Sequence, residues 1–296
     1  MIDKNLGDEL AFHSEKNDTS RAVNETLEDY TLRYAPYSFR KWSPQVVAIT
    51  ALGGIAYLAD FSIGASIGIS YGTINAIFAI LFAAVIIFLT GIPLSFYAAR
   101  YNIDLDLISR GAGFGYYGTV ITSIIFASFT FIFFALEGAI MAQGLLLGAG
   151  IPLWLGYIIS SILVIPLVIY GMKVLSKLQV WTTPFWLVLM VGPVVYLIFK
   201  NPNLVSQWFQ FTGDSANSEF SLPLVMLGAG VCLSLIMQIG EQIDYLRFMP
   251  AKTQENNKSW WIAMLSAGPG WVVLGALKQI TGAFLAFYLM TKAFPN

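Results

Sequence analysis

Apolar runs long enough to cross a bilayer recur along almost the whole chain from Pro44 onward. Each needs about 20 predominantly apolar residues to span ~30 Å of hydrocarbon. In that medium every backbone N–H and C=O must find a partner inside the protein, so uninterrupted apolar runs of this kind fold as helices. Seven spans are read, over approximately Pro44–Ile69, Gly72–Ala98, Tyr117–Leu147, Leu153–Tyr170, Trp181–Phe199, Leu222–Ile243 and Trp260–Met290. The third and seventh exceed a simple span, which implies tilt or an interfacial extension. Composition agrees: 57% of the 296 residues are hydrophobic and only 11% charged, against about 25% charged in soluble domains. The chain reads as an all-α polytopic membrane protein, with a polar, acidic-leaning tail over residues 1–41 and a transmembrane domain over 42–296.

Several function classes fall away on composition. Net charge is −1, without the basic stripe that nucleic-acid binders need. The lone cysteine, Cys232, excludes a disulfide framework and a cysteine-based metal site. The lone histidine, His13, sits in the polar tail, so a histidine metal cluster is excluded too. GFGYYG (113–118) formally fits G-x-G-x-x-G, but that fingerprint needs a strand before it and a βαβ unit around it. No Walker A, H-E-x-x-H or G-x-S-x-G motif occurs, so neither an ATP-driven pump nor a hydrolase is supported, and no enzyme activity is expected. No apolar h-region precedes the first span, so that span serves as the uncleaved insertion signal.

Loop charges set the orientation. Arg100 and Arg110 separate spans two and three, Lys173 and Lys177 spans four and five, and Arg247, Lys252 and Lys258 spans six and seven. On the opposite side only Lys200 occurs. The positive-inside rule then puts the N-terminus in the cytoplasm of a multi-pass inner (plasma) membrane protein, with Asn296 outside.

Three carboxylates, Asp60, Glu137 and Glu241, lie within the apolar runs. An acid at bilayer depth costs roughly 2.5–3.5 kcal/mol, so such residues face a partner, a cavity or a transported ion. Asp60 follows a small-residue stretch. Gly53, Gly54 and Ala59 mark either an unwound helix break or ordinary close packing. Glu137 shares a helical face with Phe126, Thr130, Phe133 and Phe134, which reads as pocket lining or as core. Gln238 and Glu241 reach a solute if the sixth helix breaks near Gly240. Asp244 and Arg247 read as a structural pair at a gate. Lys278 is either a counter-ion for one of the acids or a snorkelling side chain. Two small-residue helices, five spans apart, also fit an inverted repeat whose first helices are broken.

Several strings resemble the nucleobase–cation symporter family of cytosine, uracil, hydantoin and allantoin permeases. They are LEDYTLRYAPYSFRKWSP (27–44), LADFSIGASIGISYG (58–72), YNIDLDLISRGAGFG (101–115), LQVWTTPFW (178–186) and IDYLRFMP (243–250). The resemblance implies a five-plus-five inverted-repeat fold, of which this chain supplies the first repeat and the first two helices of the second. It implies a solute bound between helices one, three, six and eight, and a coupling ion, Na+ or H+, near Asp60. The family's stacking aromatic on helix three falls at Phe133, and its hydrogen-bonding Gln at Glu137. The helix-six aromatic falls near Leu235. One aliphatic wall and an acid in place of an amide favour a solute with extra N–H donors, or a cation, over a flat nucleobase.

Two functions are therefore expected from different classes. The first is cation-coupled secondary transport of a small nitrogenous solute, such as a nucleobase or related heterocycle, with the solute, a coupling cation and the lipid bilayer as partners. The second is a permease-like sensor module of a membrane histidine kinase. The resemblance also carries the expectation that the chain is the N-terminal part of a longer permease or a truncated gene.

Overall fold

The computed structural model describes residues 42–53, 56–216 and 218–293. Among them there are helices and turns and no strand. The polar tail expected over 1–41, and Gly54 of the expected break, lie outside the described residues. Five helical stretches, some of them running through a turn or kink, are long and apolar enough to cross a membrane: Thr73–Tyr101, Leu105–Ala149, Val174–Lys200, Leu222–Leu246 and Asn257–Lys292. Two shorter apolar stretches, Pro44–Gly53 and Leu153–Pro166, accompany them.

Helix one is in two pieces. Helix α1 (Pro44–Gly53) ends at a glycine, and α2 (Ala59–Tyr71) begins after residues 56–58, which are not helical. Gly72, with φ of 77°, turns the chain into α3 (Thr73–Tyr101), which carries Pro93 internally and stops at the left-handed Asn102. The short α4 (Leu105–Ser109) takes Asp104 as its N-cap and runs through a π-turn, kinked at Gly113, into α5 (Gly115–Ala149). A turn at Gly150 leads into α6 (Leu153–Lys200). After α7 (Leu204–Phe209) come α8 (Leu222–Leu233), a 3-10 turn over Ser234–Gln238, and α9 (Ile239–Leu246). The last pair is α10 (Asn257–Ala267) and α11 (Trp271–Tyr288).

Three features differ from the sequence reading. The turn expected between spans four and five is helical, because α6 continues for 48 residues, or about 72 Å at 1.5 Å per residue. Lys173 and Lys177 signal a boundary by charge, but charge alone does not end a helix, and α6 runs on even through Pro166, Pro184 and Pro193. Span seven is not one long helix: Gly268-Pro269-Gly270 divides it into α10 and α11. Helix six changes character at Ser234–Gln238, ahead of Gly240, which itself lies inside α9 against Phe126.

The buried core comes from helices one, two, six and seven. Val47 and Ala51 of α1 pack with Trp260, Ala263, Met264 and Ala267 of α10. Ile67 of α2 meets Ala76, Ala79 and Ala83 of α3 and Val225 and Ala229 of α8. By contrast α5 and most of α6 expose large apolar side chains such as Phe131, Ile132, Val188 and Leu189, as lipid-facing helices do.

The closest helix contact is α2 against α11. Gly64 faces Gln279 and Gly68 faces Ala283, so the two helices advance in the same direction. A Cβ at Gly64 would overlap the Gln279 carbonyl, and one at Gly282 would overlap the Phe61 carbonyl. Small residues allow this approach where no hydrophobic effect drives helices together. Gly64→Ala is therefore expected to destabilise the fold by about 1–3 kcal/mol through overpacking. Gly144→Ala, which meets nothing within 4 Å, is expected to be neutral or mildly stabilising. Unfolding of the two purified variants in detergent compares them directly.

Candidate functional site around the helix-one break

Breaking a helix inside the apolar layer frees backbone N–H groups that must be satisfied. Leu58 has no capping side chain at the start of α2. Instead Glu137 reaches across from α5: its Oε2 accepts from the Leu58 N–H at 3.0 Å and its Oε1 from the Ala59 N–H at 2.7 Å. A carboxylate at a helix N-terminus also meets the positive end of the helix dipole. Glu137 thus ties the outer helix α5 to the first turn of α2.

One residue further on, Asp60 is fully buried. Lys278 of α11, only 1% exposed, places its Nζ 2.9 Å from Asp60 Oδ2. The same ammonium donates to the Tyr57 carbonyl at 3.1 Å and lies 4.0 Å from the centre of the Tyr57 ring. Gln279 donates through Nε2 to Asp60 Oδ1 at 3.0 Å, and its Oε1 accepts from Cys232 Sγ at 3.2 Å. Gly275 leaves room for the carboxylate, since a Cβ there would stand 3.3 Å from Asp60 Oδ2. Asp60 and Lys278 thereby neutralise each other, which an isolated charge at this depth requires.

Phe133 sits one turn before Glu137 on α5, edge-on to Tyr57 with ring centroids 6.4 Å apart and 4.5 Å from the Phe129 ring. Leu235, Ile236 and Ile239 of helix six join the same apolar cluster. Tyr57 Oη and Trp271 Nε1 are buried without a hydrogen-bond partner among the described residues. Beside them runs a narrow cavity lined in part by Cys232, Leu235, Trp271, Gly275 and Gln279, with room for about one water. The site is closed in this conformation.

Of the residues singled out from sequence, Gly53, Ala59, Asp60, Phe133 and Glu137 gather at the break, and Lys278 proves to be the counter-ion of Asp60. Gln238 is buried and hydrogen-bonds Glu241 within helix six, so these two satisfy each other. Asp244 and Arg247 form no ion pair within 4.0 Å among the described residues. The Arg247 guanidinium stacks on Phe248 at 5.0 Å instead, with Nε and Nη1 unpartnered. Asn102 fixes that corner by donating to the Arg247 and Met249 carbonyls. Burial pushes the nearby Asp104 carboxyl up to about 6, against the lowering effect of its bond from the Leu107 N–H. Sequence reasoning overlooked Tyr57, Cys232 and Gln279. Gln279 carried a usable signal, since it adjoins Lys278 in an otherwise apolar helix.

Comparison of the chain with protein-family models, with curated proteins and with solved structures returns no match in any of the three. Fold and composition together define an all-α, multi-pass membrane protein with a charged cluster inside its core. Among the described residues, no group of His, Cys, Asp and Glu side chains could hold a metal ion.

Glu137→Ala removes two charge-assisted hydrogen bonds and is expected to destabilise the protein by about 2–4 kcal/mol. Glu137→Gln, which keeps acceptor capacity, should lose less. Hydrogen exchange at the Leu58 and Ala59 amides should accelerate in the Ala variant ahead of amides elsewhere in α2.

Proposed function

We propose that this protein is a secondary membrane transporter of a small nitrogenous solute, a nucleobase or a related heterocycle, built like the nucleobase–cation symporters it resembles. The observation that carries the reading is the interrupted first helix, whose freed N–H groups point at a side chain of a different, loosely packed helix. Discontinuous helices of this kind supply half-helix ends and unwound carbonyls to solutes near the bilayer midplane. A second interruption in helix six, at Ser234–Gln238, borders the same apolar cluster and suits the inverted-repeat arrangement.

In this reading Phe133 and Glu137 are the movable wall. Helices one, two, six and seven share the core, whereas α5 is held to α2 mainly through Glu137 and the Phe133–Tyr57 contact. Swinging α5 outward would free the Leu58 and Ala59 N–H groups for a solute acceptor. It would also leave Glu137 to receive solute N–H donors. Phe133 and Tyr57 would then face the ring, and Tyr57 Oη and Trp271 Nε1 offer buried polar atoms still without partners. Gln238 and Glu241, which bond each other here, would exchange that bond for solute contacts on helix six. The protein would sit in the inner membrane with its N-terminus in the cytoplasm. Among coupling cations H+ suits the site better than Na+, because Lys278 already neutralises Asp60.

Equilibrium binding of radiolabelled cytosine, uracil, allantoin and hydantoin to the purified protein in proteoliposomes tests the reading. At least one should bind saturably, and Phe133→Ala should weaken that binding by up to about tenfold, since a ring stack is worth about 0.5–1.5 kcal/mol beyond the area it buries. Absence of binding by all four, or binding indifferent to both Phe133→Ala and Glu137→Ala, would defeat it.

A further inference from the structure

The surroundings of the Lys278 ammonium are those of a small cation-binding site. Asp60 contributes a carboxylate oxygen at 2.9 Å and the unwound backbone a carbonyl, that of Tyr57, at 3.1 Å. The Tyr57 ring presents its negative face at 4.0 Å. Carboxylate and unwound carbonyl oxygens are the ligands that broken membrane helices offer to monovalent ions. Gln279 bonds the other Asp60 oxygen and is itself bonded by Cys232, so the carboxylate has a partner besides the ammonium.

We propose that this is a monovalent-cation site kept permanently filled by the protein's own Lys278. The tethered ammonium supplies the charge that a free Na+ or K+ would otherwise bring to the helix-one break. The wild-type fold therefore needs no free alkali cation there. The inference concerns occupancy of the site and stands whether or not the protein transports a heterocycle.

Lys278→Met keeps most of the aliphatic stem and removes the charged head, leaving an ion-sized space beside Asp60. Lys278→Ala leaves more room for water to complete the coordination shell. Each variant is purified as the full chain in detergent and melted in choline chloride, then with choline replaced by Na+, K+ or Rb+ at constant ionic strength. At saturation at least one alkali ion should raise the melting temperature of one or both variants by roughly 4–8 °C. Wild type should shift by less than about 1 °C, as should Asp60→Asn/Lys278→Met, which has lost the carboxylate.

A saturable alkali-ion shift in wild type would overturn the proposal, because its site would not be filled. So would single variants indifferent to every alkali ion. Single variants that aggregate alike in choline and in all three ions would overturn it too, since no free cation would then replace the ammonium.

Discussion

The structure depends on satisfying a helix that stops and restarts inside an apolar layer. Residues 56–58, just ahead of Ala59, are not helical, and hydrocarbon offers no water to satisfy backbone groups left without intrahelical bonds. Two long-range interactions make up the difference. Glu137 caps the restart from α5, and Lys278 bridges the Tyr57 carbonyl and the Asp60 carboxylate from α11. The close α2–α11 packing follows from the second. Lys278 and Gln279 can reach Asp60 because Gly64, Gly68, Gly275 and Gly282 let the two helices approach.

The two ties differ in what they hold. The Asp60–Lys278 tie joins two helices of the buried four-helix core. The Glu137 tie joins that core to a helix whose other faces are largely exposed to the apolar surroundings. In the proposed transport reading the inner pair stays fixed and the Glu137 tie is the one that would release. The inner pair is balanced in charge, so release of that tie leaves no bare charge in the core.

Much of this was legible in the sequence. Acids in apolar runs announce themselves, and Asp60 and Glu137 were identified without coordinates. What sequence could not settle was partnership. Lys278 could have snorkelled to an interface; only the parallel α2–α11 packing turns it toward Asp60. Asp244 and Arg247 have helical spacing that suggests a pair, yet Arg247 stacks on Phe248. Helix ends were misjudged where charge and backbone disagree. Lys173 and Lys177 mark a polar stretch within α6 that remains helical, while Gly268-Pro269-Gly270 divides an apolar run that hydropathy reads as continuous.

The central claim is that Asp60 and Lys278 act as one neutral unit that holds the break. A double-mutant cycle measures it directly, comparing unfolding free energies of wild type, Asp60→Asn, Lys278→Met and the double variant, all in choline chloride. Removing one member of a buried pair leaves the other charge uncompensated, whereas removing both does not. The account predicts single losses of about 3–5 kcal/mol and a double loss well below their sum, with a coupling of about 2 kcal/mol or more. Losses that add to within about 0.5 kcal/mol would show the two residues to be energetically independent and would contradict it.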